Sequence, residues 1–223
     1  TRIKLFCLIH NIVKDYAFHS SFKDKSIVLY NVMNEADLKR RVAEDTNDYN
    51  YDVIFVGRMS YPKNIGRLLA ILRIACDKKP DLNIAVVGNG EEEQEVRQLC
   101  TSLKLDNNVT FLGFQANPSK MLHDSKIMVM TSRWEGTPMV ALEAIALGVP
   151  IVSTPTDGLK VLIRNGENGF LSDDNEEFAQ LLIKVIEDDA LRNRLSQGQL
   201  ARSKEVNNID NYKDTLKKVY GIA

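Results

Sequence analysis

The chain has 223 residues, 44% hydrophobic and 26% charged, with a formal net charge of −1 and three cysteines. That length suits one large domain or one and a half. The near-zero charge removes the electrostatic case for a nucleic-acid partner, and no apolar run reaches the roughly 18–20 residues of a membrane span.

Cys7, Cys76 and Cys100 are widely spaced and odd in number, which argues against a disulfide framework and for a reducing cytoplasm. His10, His19 and His123 are scattered, so no zinc-ligand spacing exists and no metal site is expected. Residues 1–9 are too short for a signal peptide and lack a cleavage signature. The absence of an initiator Met is expected of a fragment.

In chain order, residues 3–9 read as a strand, 11–16 as a helix and 26–30 as a strand. Residues 35–50 are very polar and read as a partly helical linker, which places a boundary near residue 48. A regular alternation begins at residue 51. A β-branched and aromatic strand over 51–56 ends at Gly57. A helix follows over 64–77, with Ile65, Leu68, Leu69, Leu72 and Ala75 at helical spacing and Pro80 blocking its continuation.

The next strand is 83–88, and the helix over 91–103 carries acidic residues in its first turn, as the macrodipole favours. Strand 109–113, a short helix over 119–123 and strand 126–131 come next. Thr137 is expected to cap the following helix, with Pro138 at its first position and Gly148 just past its end. Strands at 149–153 and 169–171 complete the set. Helices then run over 175–188, with a stripe at Phe178, Leu181, Leu182 and Val185, over 189–205, and over 209–220 with Asp210 near its start. This alternation predicts an α/β fold, a Rossmann-like parallel sheet with helices on both faces and right-handed crossovers. Such sheets bind ligands outside the carboxyl ends of their strands. The loops at 57–63, 88–91, 113–115 and 132–137 all lie there.

Three of these loops carry candidate chemistry. Gly57 lets backbone approach a ligand, and Arg58 and Lys63 can clamp a diphosphate, Arg as a fork of donors and Lys as a point charge. The alternative is a solvated loop with two surface cations. Gly88-Asn89-Gly90-Glu91 is half a dinucleotide fingerprint without the third glycine or the downstream acid, so it reads as a tight turn beside the cleft rather than an NAD site.

Glu135 and Glu143 flank a strand-to-helix junction. Gly136 removes side-chain bulk there, and the N–H groups of Thr137, Met139 and Val140 can point at an oxyanion. Glu135 can reach sugar hydroxyls, and Glu143 both hydroxyls of a ribose. Alternatively, Glu135 is a surface residue and Glu143 pairs with a lysine.

Taken together, Val56-Gly57-Arg58 with Lys63, Val87-Gly88-Asn89-Gly90, residues 109–113, the Glu135-x7-Glu143 element, Gly148-Val149-Pro150-Ile151-Val152 and Asn165-Gly166-Glu167-Asn168-Gly169-Phe170-Leu171 resemble the C-terminal domain of GT-B glycosyltransferases. The likeness is greatest to the large retaining class, family four, that uses nucleotide-diphosphate sugars. It runs from about residue 53 to 171 and more weakly to the C-terminus. Two positions depart from the family pattern. Asn64 stands where glycine is frequent, and Val161 where a glutamate is common.

The resemblance implies roles position by position. Arg58 and Lys63 would neutralise the departing diphosphate. Glu143 would bind the donor ribose, and Glu135 would contact the transferred sugar. Gly136, Met139 and Val140 would hold sugar and phosphates by backbone, and Phe114 and Gln115 would meet the base.

It also implies that residues 1–47 are a remnant of an N-terminal acceptor domain plus linker, and 48–223 a nucleotide-sugar-binding domain with C-terminal helices. The parent enzyme would transfer a sugar, with retention, to an acceptor hydroxyl in cell-surface polysaccharide or glycolipid synthesis. No cofactor is expected; the donor would be a UDP-sugar rather than a GDP-sugar. A glycan or lipid-linked acceptor would bind through the missing domain, at the cytoplasmic face of the membrane, which leaves peripheral membrane contact open. No Asp-x-Asp occurs, as a metal-independent reaction implies. An epimerase or hydrolase of the same fold, and a fragment that binds nucleotide without catalysis, are the alternatives.

Overall fold

The computed structural model describes the backbone of residues 5–7 and 26–220, and side chains from residue 29 onward. The helix expected over 11–16 lies outside the described residues, as do His10 and His19. Two short strands, β1 (Leu5–Cys7) and β2 (Ser26–Val28), pair in parallel.

The main sheet contains β3 (Val53–Val56), β4 (Ile84–Val87), β5 (Val109–Gly113), β6 (Ile127–Met130), β7 (Ile151–Ser153) and β8 (Gly169–Leu171). All its pairings are parallel, in the order β5-β4-β3-β6-β7-β8. Around the sheet lie α1 (Glu35–Glu44), α2 (Ile65–Lys78), α3 (Glu93–Ser102), α4 (Ser119–Asp124), α5 (Met139–Leu147), α6 (Asp157–Leu162), α7 (Asn175–Glu187), α8 (Asp189–Val206) and α9 (Ile209–Tyr220).

Side chains alternate along a strand, and β3 shows the consequence. Val53 and Phe55 enter one core with Leu68 and Leu72 of α2 and Phe178 and Leu182 of α7. Ile54 enters the opposite core with Leu142 and Ile145 of α5. Burial on both faces is why the strands read as unbroken apolar runs.

The polar stretch after residue 35 is more ordered than a linker. Residues 35–44 form α1, capped by Asn34, whose Oδ1 accepts from the Asp37 N–H at 3.1 Å. Leu38 is its one buried residue and enters the second core. Burying one leucine side chain contributes about 1.5–3 kcal/mol, enough to dock the helix but too little to leave an apolar stripe in the sequence.

Thr137 does not cap α5. Pro138 occupies the cap position with φ −68° and ψ 126°, and no side chain closes the helix start. Proline has no N–H and no polar side chain to offer. The helix therefore begins one residue later than expected, at Met139. Gly148 ends it in the left-handed region at φ +72°. The six-residue α6 and the 3₁₀ turn Tyr61–Lys63 are too short to show a periodicity.

From β3 the chain builds outward through β4 to β5, then returns to β6 on the other side of β3 and continues through β7 to β8. The strand order thus reverses between β3 and β6, the kind of place where open α/β sheets form a ligand crevice.

Candidate functional site

The loops after β3 and β4 run side by side. Gly57 N–H donates to the Val87 carbonyl, and Met59 N–H to the Asn89 carbonyl, each at 2.9 Å. Gly88 makes this approach feasible: its φ is +128°, and a Cβ there would lie 2.0 Å from the Gly57 carbonyl oxygen. Gly57, Arg58, Gly88, Phe114 and Gln115 consequently line one cleft of about 300 Å³, with Val56 and Pro118. Phe114 is 72% exposed, an open face for a planar ring. Gln115 Nε2 donates to the Leu112 carbonyl at 2.8 Å, which fixes the amide at the cleft wall. Arg58 is exposed and has no hydrogen bond or ion pair to the described residues.

On the β6 side of the switch point, Lys63 Nζ meets Glu135 Oε1 at 2.5 Å. Ser132 Oγ donates to the same oxygen at 2.7 Å. Glu135 is thus held through one oxygen, and Oε2 has no partner among the described residues. A lysine ammonium has three protons, so two remain for another anion.

Ser132 is itself positioned: Thr154 Oγ1 donates to its carbonyl at 2.8 Å. The Glu135–Gly136 backbone rests directly on α6. Gly158 N–H donates to the Glu135 carbonyl at 3.2 Å, and a Cβ on Gly158 would fall 1.3 Å from the Gly136 carbonyl oxygen. Sequence reading assigned no role to Ser132, Thr154 or Gly158, although Ser132 sits three residues before Glu135 in the 132–137 loop.

Asn64 adopts φ +52°, the left-handed conformation in which glycine has no steric cost and asparagine is the next best choice. The departure at this position therefore keeps the backbone geometry.

The start of α5, four residues after Glu135, carries open donors. Ala141 and Leu142 N–H groups bond back to the Pro138 carbonyl, while those of Met139 and Val140 have no partner among the described residues. Thr137 is buried, and its carbonyl accepts from Asn31 Nδ2 at 2.8 Å.

Glu143 is the one charged residue of the otherwise apolar α5. Its partner is an arginine, not a lysine: Arg41 Nη2 of α1 lies 3.4 Å from Oε1. Burial pushes the Glu143 carboxyl above its ordinary range, and the Arg41 guanidinium opposes that shift. Arg41 also pairs with Asp37 at 3.2 Å, and its carbonyl accepts from Asn117 Nδ2 at 2.9 Å. Nothing in the polar stretch around Arg41 signalled this role.

A cavity of about 360 Å³ lies between residues 29–32 and the C-terminal helices, and it is this cavity, not the smaller cleft, that Thr137 lines. Its cation, Arg202, is already engaged by Glu205 and the Val161 carbonyl. The smaller cleft has the free cation, the close-approach glycines and the strand ends, so it is the better candidate for an anionic ligand.

Known proteins resemble this chain in sequence and fold. The family model described as glycosyl transferases group 1 matches residues 37–201. An uncharacterized glycosyltransferase of Methanocaldococcus jannaschii is 30% identical over 225 residues, covering 83% of this chain and 55% of that protein. The Escherichia coli UDP-Gal:alpha-D-GlcNAc-diphosphoundecaprenol alpha-1,3-galactosyltransferase is 28% identical, covering 97% of this chain and 59% of that protein. The chain spans about half the length of the curated relatives it matches.

Among solved structures, TarM of S. aureus in complex with UDP superposes with a TM-score of 0.85 at 17% identity, over 97% of this chain and 43% of that one. Anabaena HepE in complex with UDP and glucose gives 0.83 at 20% identity, over 99% and 63%. At these identities the structures speak for the fold alone. The family match and the strand-end site converge: the chain belongs to the group 1 glycosyltransferases.

Proposed function

We propose that this chain is the donor-binding half of an enzyme that moves a sugar from a nucleotide-diphosphate sugar to an acceptor hydroxyl, with retention. The observation that carries this reading is the Lys63–Glu135 ion pair at the β3/β6 switch point, four residues before an α5 N-terminus with open donors. A diphosphate there has Arg58, two free Lys63 protons and the Met139 and Val140 N–H groups to neutralise charge as it leaves. Preorganised donors aimed at developing charge are the main source of such rate enhancement. Glu143 lies one turn into the helix, where its carboxylate accepts the ribose hydroxyls. Glu135 Oε2 accepts from the transferred sugar, and Phe114 stacks on the base.

The proposed donor is a UDP-sugar. Structural neighbours crystallised with UDP and with UDP and glucose support that choice, and no cofactor is included. Relatives named for transfer onto undecaprenol-linked saccharides support a glycan or lipid-linked acceptor in cell-surface polysaccharide or glycolipid synthesis. Such an acceptor sets the reaction at the inner face of the membrane. Among the described residues no helix is long and apolar enough to cross one. The part of the acceptor that carries the reacting hydroxyl is assigned to a further domain, with the boundary near residue 48, so this chain alone holds donor and transfers nothing.

Calorimetric titration of the chain with UDP, GDP and their sugars tests the donor site, with UDP expected to bind more tightly than GDP. Binding of neither nucleotide would overturn the assignment. Product analysis with the whole protein separates transfer from epimerisation and hydrolysis.

A further inference from the structure

The two loops that carry Lys63 and Glu135 also raise two aromatic rings into solvent. Tyr61 and Trp134 are 56% and 57% exposed, their centroids 5.7 Å apart and their planes tilted by 55°. Arg133 braces the pair. Its guanidinium stacks 4.3 Å from the Tyr61 centroid, while Nε donates to the Tyr61 carbonyl at 3.2 Å and Nη2 to Asn64 Oδ1 at 3.0 Å. The Arg133 N–H adds a bond to the Pro62 carbonyl at 2.8 Å. Rings left this open forgo most of the benefit of burial, and bracing them from two loops fixes a preformed surface.

Tyr61 and Arg133 form one wall of a groove of about 180 Å³ that continues over Asn64 to Glu92, Glu95 and Leu99 on the α3 side. Neither Glu92 nor Glu95 makes an ion pair among the described residues; the nearby Arg97 is taken by Glu93 at 2.8 Å. Two unpaired carboxylates against the single charge of Arg133 leave the groove net negative, which disfavours phosphates and other anions. Val96 and Leu99 make part of the lining apolar, but Asn64, Glu92, Glu95 and Arg133 interrupt it, which suits a ring with both C–H faces and hydroxyls better than a lipid chain. A neutral pyranose matches both features, with an apolar C–H face for the Tyr61 ring and hydroxyls to donate to the carboxylates and the Asn64 amide.

We propose that this groove is a second carbohydrate subsite, taking one neutral sugar ring of the acceptor glycan beside the sugar held at Glu135. Naming the acceptor as its source rests on the glycosyltransferase reading; the binding chemistry does not. Trp134 is joined to Glu135 and Tyr61 lies two residues before Lys63, so the aromatic pair stands on the same two loops as the ion pair.

The chain has a single tryptophan, so emission excited beyond tyrosine absorption reports on Trp134 alone. The chain is titrated with maltotriose, chitotriose and galactotriose at millimolar concentrations, and separately with UDP by calorimetry. A saturable change in Trp134 emission is expected with at least one trisaccharide. Tyr61→Ala and the fold-neutral Glu95→Gln should each weaken that saccharide by about fivefold, the scale of one aromatic or polar contact, while UDP affinity is unchanged. No saturable change with any trisaccharide, or saccharide affinity unchanged from wild type in both variants, overturns the subsite. Saccharide binding without UDP binding would leave the subsite standing and sink the donor reading; UDP binding without saccharide binding does the reverse.

Discussion

Replacing Glu143 by glutamine separates function from stability at one atom pair. The carboxylate sits in the apolar α5, and burial holds its pKa above the usual glutamate range against the opposing pull of Arg41. A raised carboxyl pKa means that the folded chain holds the proton more tightly than the unfolded chain. Stability contributed by the neutral form is therefore present at acid pH and declines as pH rises from the ordinary value of 4.5 through the raised one. At neutral pH the ionised group opposes folding, so Glu143→Gln should melt at the same temperature or higher and lose that part of the pH slope.

The ligand feels the opposite effect. Hydrogen bonds to a charged acceptor contribute about 1.5–3 kcal/mol against about 0.5–1.5 for a neutral one. The difference of about 1–2 kcal/mol corresponds to roughly 5- to 30-fold weaker UDP binding. Calorimetry with UDP and thermal melts from acid to neutral pH measure both. A well-folded variant with unchanged UDP affinity would remove Glu143 from the ribose site. A variant less stable than wild type at neutral pH would refute the desolvation argument.

Arg58→Ala and Lys63→Ala should each lower turnover of the whole enzyme by roughly 10²–10³-fold in initial-rate assays. They should differ in stability: Arg58 has no partner to lose, whereas removing Lys63 leaves Glu135 without its cation, 2.5 Å away in the structure, at a cost of about 1–3 kcal/mol by denaturant titration. Near-normal turnover in both variants would dismiss the diphosphate clamp. Ser132→Ala frees Glu135 Oε1 from one of its two holders, so kcat should fall about tenfold with little change in UDP affinity, and Ser132→Thr should recover most of it. Gly158→Ala drives a methyl group into the Gly136 carbonyl, with an ideal Cβ only 1.3 Å from it; the Glu135 loop must move, and both melting temperature and turnover should drop.

Much of this protein was legible from local pattern. The β-branched runs of β3, β4, β6 and β7 and the stripes of α2 and α7 are periodic signals strong enough to place elements within a residue or two. Glycines, cations and carboxylates at the strand ends marked the candidate loops, because parallel sheets gather ligands there. Helix α1 was harder, since a single buried leucine docks it. The cap of α5 misled because Thr137 has the right chemistry one position too early, and Pro138 takes the cap itself.

What sequence alone determined is thus the α/β alternation, the parallel sheet and the set of loops that would share one edge. Neighbours on that edge were decided by strand order, which depends on how the crossovers pack across the whole sheet. That order sets β6 beside β3, joins Lys63 to Glu135 across 72 positions, and leaves Arg58 free. It was likewise tertiary packing that brought Arg41 to Glu143 across 102 positions and Gly158 under Gly136. Such contacts between distant segments leave no periodic trace, because each fixes only one residue on either side.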